Sequence, residues 1–213
     1  MVTTNAAGAT ASLDAALIVA PTAWLSNVAV RTTLADAQTV IVGFVVAGGA
    51  KEILVRAAGP TLTQFGLTTV LLDPRLALFQ GAVRVAENND WTSSLAPTFA
   101  GLGAFAFPAS SRDAALLQHL AGGHSVHATG GGPGVVLIEG YDAGPGSEAR
   151  LVNLSARNRV GTGADILIAG FFVAGTGTQR LLIRAVGPAL SAFGVTGVLA
   201  DPKLDVFDAN SAK

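Results

Sequence analysis

The apolar positions of this chain fall into short runs rather than into helical stripes. Residues 40–48 (Val-Ile-Val-Gly-Phe-Val-Val-Ala-Gly) and 166–175 (Ile-Leu-Ile-Ala-Gly-Phe-Phe-Val-Ala-Gly) are continuous, β-branched and aromatic, and predict central strands. A glycine inside each run, Gly43 and Gly170, predicts a bulge or a close backbone approach. Residues 26–32 and 152–157 alternate with strand period, and further strands are expected at 53–57, 76–79, 82–86, 124–128 and 135–142. Between them, residues 87–91 predict a turn leading to a buried Trp91. Residues 95–107 predict an irregular stretch anchored by Phe99, Phe105 and Phe107. Ser110-Ser111-Arg112-Asp113 predicts the start of a short helix through Leu117. Residues 1–12 are small and polar and predict a flexible arm. Residues 13–20 are apolar up to Pro21 and fit either a strand or two helical turns.

The runs recur. Residues 53–79 align with 181–207 at a constant offset, Arg56 and Arg184 lying 128 residues apart, and 15 of the 27 positions are identical. An internal repeat of this kind governs the fold. In each copy a short strand is stopped by Gly-Pro (Gly59-Pro60 and Gly187-Pro188), because proline removes a ladder donor and fixes φ. The proline then suits the first position of a short helix, with Leu62 and Phe65 on one face and Gly66 as a left-handed cap. Asp73-Pro74 and Asp201-Pro202 mark a second turn. The copies also align upstream, 26–32 with 152–157 and 40–48 with 166–175. The second copy stops at Lys213, opposite Val85, without a counterpart of residues 86–142.

Composition narrows the class. Half of the 213 residues are hydrophobic, 13% are charged and 26 are glycine, the profile of a turn-rich β protein able to bury a sizeable core. A formal net charge of −1 offers no electrostatic footing for nucleic acid or an anionic membrane. So few charges also leave a surface poorly guarded against self-association. The absence of cysteine excludes disulfides and thiolate chemistry. No apolar run approaches the length of a membrane-spanning helix. The opening residues lack the basic segment of a signal peptide, which leaves a cytosolic protein and a processed terminus both open.

Candidate chemistry is thin. His124 and His127, three apart on a predicted strand, point to opposite faces and do not converge on a metal; His119 is the third histidine. Glu87, Asn88, Asn89 and Asp90 carry oxygen ligands of the kind calcium takes, but in the pattern of an ordinary turn. The Gly-Thr-Gly triplets at 161–163 and 175–177 lack the lysine and helix of a phosphate loop. No Gly-x-Ser-x-Gly elbow occurs, and no serine is singled out as a nucleophile. Asn153-Leu154-Ser155 matches a glycosylation sequon. Arg56 and Arg184 interrupt apolar strands, and each is expected to face solvent or to tie down a carboxylate or carbonyls. No catalytic residue, metal ligand or cofactor is assigned.

Residues 151–157, 160–163, 168–171 and 182–188, with 133–142 as a closing Pro-Gly turn and strand, resemble a repeat module of large secreted bacterial surface proteins. The resemblance covers one module, about 25–148, and the front of a second. It implies an extracellular, tandem, β-sandwich-like architecture and brings no catalytic residues with it.

The expectation is therefore an all-β protein: an arm at 1–24, a complete β-sandwich-like module at 25–148, and an incomplete copy at 149–213, with very short helices after each Gly-Pro. The expected role is a structural subunit of an extracellular, pilus-like filament, its partner being itself. A soluble carbohydrate-binding or adhesive module is the alternative, with Trp24, Trp91 and Tyr141 as the candidate sugar platforms. An uncovered apolar edge is a pairing template. The expected acceptor comprises Ile166, Ile168, Phe171, Val173 and Leu182 of the half-module. The expected donor is the segment carrying Leu13, Leu17, Ile18 and Val19, added as a strand by a neighbouring subunit.

Overall fold

The computed structural model describes residues 2–5, 8–11, 23–144 and 148–213. It is an all-β protein, with one short α-helix among the described residues, Ala96–Gly101, and a few short 3-10 helices. Strands β1 (Val2–Asn5) and β2 (Gly8–Ala11) form a small hairpin where a flexible arm was expected. The remaining strands are β3 (Ala23–Leu34), β4 (Val40–Ala58), β5 (Pro74–Gln80), β6 (Val83–Asn88), β7 (Ala114–Gly130), β8 (Gly134–Asp142), β9 (Arg150–Arg157) and β10 (Ile168–Gly175). The helix expected at 110–117 is absent. Residues 114–117 open β7 instead, because pairing of Ala114–Leu120 with β4 outweighs the helix propensity of an Ala- and Leu-rich stretch.

All of these pairings are antiparallel, and they make two layers sharing their longest strands. One layer runs β10, β3, β8, the second half of β4, and the first half of β7. The other runs β9, the first half of β4, the second half of β7, β5 and β6. β4 passes from layer to layer at Gly48 and Gly49, whose φ values of +85° and +133° suit glycine. Here β4 advances from Val46 to Lys51 while β7 moves only from Gly122 to Leu120. The three extra residues reverse the facing of β4, since the side-chain period of a strand is two. Val40, Val42, Phe44 and Val46 point inward before the bend; Ile53, Val55 and Ala57 do so after it.

The core between the layers takes those side chains together with Val28, Val30, Leu76, Leu78, Val126 and Ile138. A second core lies on the outer face of the β4–β8 layer. There Leu54, Ala58, Ala115 and Tyr141 are roofed by Trp91, Phe99, Ala104 and Phe107 from the connection between β6 and β7. Trp91 stacks on Phe99 and meets Phe107 edge-to-face, with ring centroids 5.3 and 5.7 Å apart, the two geometries aromatic pairs favour.

Candidate assembly interface

Two features bear on function: the way the repeats join, and what the second repeat leaves uncovered. β9 and β10 correspond in sequence to β3 and to the first half of β4. Neither pair is a hairpin, and among the described residues no ladder joins β3 to β4 or β9 to β10. The strands exchange partners between repeats instead. β4 pairs with β9, and β10 pairs with β3.

The exchange is reciprocal to the residue. Ile41 faces Arg157 as Ile168 faces Arg31; Phe44 faces Leu154 as Phe171 faces Val28; Val46 faces Leu151 as Val173 faces Leu25. Both ladders slip at the same place, between Val45 and Val46 and between Phe172 and Val173. The extra residue at each slip is on the partner strand, Val152 of β9 and Ser26 of β3, so neither glycine carries the bulge it was expected to mark, and a Cβ on Gly170 would meet nothing. Gly43 itself serves close approach: a Cβ there would lie 2.5 Å from the Ser155 hydroxyl. The two arches, β3 with the first half of β4 and β9 with β10, cross where Leu25 meets Leu151, both buried. The repeat boundary at 149 is thus a boundary of sequence similarity that the sheets run across.

The Gly-Pro turn is built identically in both copies. Pro60–Phe65 and Pro188–Phe193 are 3-10 turns capped by left-handed Gly66 and Gly194. A Cβ on Gly59 would lie 2.0 Å from the Leu71 carbonyl oxygen, and one on Gly187 would lie 2.0 Å from that of Leu199. Here local sequence alone determines the conformation.

The tertiary surroundings differ completely. In repeat one, Asp113 is buried under the turn. It accepts the Gly59 N–H at 2.6 Å, the Thr61 N–H, and the Thr61 and Ser111 hydroxyls. Arg56, fully buried, donates from Nε and Nη2 to Glu139 Oε2 at 3.0 and 2.5 Å and from Nη1 to the Phe105 carbonyl at 2.6 Å. Its guanidinium lies 4.4–4.6 Å from the ring centres of Phe99, Phe105 and Phe107, a cation–π enclosure. Tyr141 donates to the other Glu139 oxygen at 2.7 Å, and burial, with the Glu139 charge beside it, pushes the phenol pKa up. Arg56 therefore ties down a carboxylate and a carbonyl, one of its two expected roles. A second buried pair, Lys51 Nζ to Asp142 at 2.9 Å, holds the connection to repeat two, since Lys51 also donates to the Ala149 carbonyl. Burial raises the Asp142 carboxyl against the opposing pull of Lys51.

In repeat two Arg184 is exposed, and residues 181–186 form no strand, contrary to expectation. Leu182 is 86% exposed where Leu54 is 0%; Val206 is 50% exposed where Leu78 is 0%. Burial of such a side chain contributes about 1.5–3 kcal/mol, which repeat two does not gain. The physical reason is missing neighbours: in repeat one these positions are covered by β7, β8 and the 91–107 connection.

Of the expected acceptor residues, Ile168, Phe171 and Val173 lie on β10, whose second edge has no partner strand among the described residues; Ile166 precedes the strand and Leu182 lies outside any strand. The expected donor residues Leu13, Leu17, Ile18 and Val19 lie outside the described residues. Trp91 and Tyr141 are buried and Trp24 is half-buried, so the candidate sugar platforms are not displayed. A shallow depression of about 280 Å³ beside Gly43, His124, Asn153 and Ser155 presents the exposed sequon, with the ring of Phe44 buried beneath it.

His124 stacks on Phe44 and His127 on Phe79, on opposite faces as the spacing predicted, and His119 meets Glu52 at 3.2 Å. Asn88 and Asn89 spend their amides on Asp90, and Asn88 Oδ1 accepts the Ala115 N–H, so this cluster is turn chemistry. Among the described residues no group of three metal-type ligands converges, and no helix is long and apolar enough to cross a membrane. Comparison with protein-family models, with curated proteins and with solved structures finds no match.

Proposed function

We propose that this chain is a structural subunit of an extracellular, filament-like assembly in which neighbouring molecules join head to tail by strand complementation. One observation carries the reading: the open edges of β9 and β10 continue into an uncovered apolar surface at 181–207 whose counterpart in repeat one is buried. Unpaired strand edges of this kind recruit further strands, and strand addition provides main-chain hydrogen bonds and side-chain pockets together. An acceptor at one end of a molecule makes a heterologous contact, which propagates unless it closes. The extracellular setting rests on the resemblance to secreted surface-protein modules. The test is negative-stain electron microscopy of the purified chain, alone and with Phe171→Asp. Uniform fibres lost in the variant are expected. Monodisperse particles from the parent chain at all concentrations would sink the reading, and glycan binding by such particles would favour the carbohydrate-binding alternative.

A further inference from the structure

Repeat one specifies what belongs on the open edges of repeat two. The first half of β4, counterpart of β10, lies between β9 and the second half of β7. β3, counterpart of β9, lies between β10 and β8. The same relation applied to repeat two puts a β7-type strand beside β10 and a β8-type strand beside β9. The registers carry over. Ile41 and Phe44 face His127 and His124, so Ile168 and Phe171 would face the equivalents of those residues. Asn27 and Val30 face Tyr141 and Ile138, so Asn153 and Ala156 would face theirs.

The added segment would bring an Asp113-type carboxylate to the turn at Gly187 and a Glu139-type carboxylate to Arg184. It would also cover the exposed Leu182 and Val206. Each layer would then hold strands of both repeats, related by a two-fold axis through the crossing of Leu25 and Leu151.

We infer that the open edges of β9 and β10 are a docking site for the trailing half of a repeat, a segment with the chemistry of residues 86–142, and that two repeats form one symmetric unit. This rests on the proposed strand complementation only in sharing its acceptor. A second copy of this chain is a poor donor of this half-repeat in particular: the second half of its β7 is held between β4 and β5, and its β8 between β3 and β4. The donor is a segment of this half-repeat type other than this copy's own residues 86–142.

The test appends a copy of residues 86–142 directly after Lys213, which restores the alignment with Val85. Hydrogen exchange at 151–157, 168–175 and 181–186 is expected to slow by about 100-fold or more relative to the parent chain, the difference between an edge and a core strand. Arg184→Met is expected to lower the folded-to-unfolded ratio of the extended chain by about 100-fold or more, as loss of a buried ion-pair partner does, and to leave the parent unaffected. Unchanged exchange, or an Arg184→Met silent in both chains, overturns the inference. So does protection of β10 in the parent that rises with concentration and is not displaced by the extension. Should the extended chain not fold, the parent is mixed with a synthetic peptide of residues 112–142. A one-to-one complex by native mass spectrometry, absent with the reversed sequence, supports the site, and no complex overturns it. Fibres from the parent that vanish on extension support both readings. Absence of parent fibres removes the filament reading alone, and the exchange data still decide this one.

Discussion

Arg56→Met isolates what tertiary context adds to a repeated sequence. The substitution nearly preserves length and apolar volume but leaves Glu139 buried, with only the Tyr141 hydroxyl donating to it. Removing one partner of a buried ion pair costs about 3–5 kcal/mol. Loss of the cation from its ring of phenylalanines adds about 1 kcal/mol. The expected destabilisation is therefore about 4–6 kcal/mol, a large share of the roughly 5–15 kcal/mol that keeps a domain folded. Glu139→Gln in the same chain removes the stranded charge while keeping an acceptor for Tyr141, and should return about 2 kcal/mol of the loss. Arg184→Met, the same change at the equivalent position, touches an exposed side chain and should fall within about 0.5 kcal/mol of the parent. Urea unfolding followed by tryptophan fluorescence reads all four proteins, because Trp91 packs in the cluster around Arg56. The measurement is made at concentrations where the chain is monomeric. Equal losses from Arg56→Met and Arg184→Met, or a loss below about 1 kcal/mol at Arg56, would refute the reasoning.

Three more outcomes follow from the geometry. Asp113→Ala strands the buried N–H groups of Gly59 and Thr61 and should cost about 2–4 kcal/mol in the same unfolding assay, whereas Asp113→Asn should cost less. Gly59→Ala drives a Cβ to 2.0 Å from the Leu71 carbonyl oxygen, so expression as insoluble protein or a Tm lower by about 10 °C or more is expected. His127 has its pKa lowered by burial and by the Arg157 charge, so the folded state binds its proton less tightly than the unfolded chain does. Stability from this group is present above the ordinary imidazole range and is lost as the pH falls through it towards the lowered value; a thermal scan between pH 7.5 and 5 should show a shallower fall in Tm for His127→Gln than for the parent.

Much of the fold was legible because it is written locally. The apolar runs at 40–48 and 166–175 became strands, and both Gly-Pro turns formed with their left-handed glycine caps. What escaped was information held between distant residues. Glu139, the partner of Arg56, lies 83 residues away, and nothing in the spacing marks it. The carboxylate under the Gly-Pro turn, Asp113, sat in a stretch read as helix, since the pairing that makes Ala114–Leu120 a strand belongs to β4. The exchange of strands between repeats was invisible for the same reason, although the matched alignments of 26–32 with 152–157 and of 40–48 with 166–175 held its register in advance. At 181–186, local strand propensity was real but insufficient without neighbours.

The crossing of the two arches has a consequence for biosynthesis. β3 and the first half of β4 find their edge partners only in β9 and β10, so the amino-terminal repeat stays unfinished until residue 175 has left the ribosome. At about 5–20 residues per second, that leaves apolar strand edges waiting for roughly ten seconds after β4 emerges. The first Gly-Pro turn, closed within a dozen residues, forms in microseconds during the same interval. Contacts of such long sequence separation fold slowly and are prone to pair with the wrong chain. Folding after release, with both arches present together, is the route that avoids cross-pairing between ribosomes.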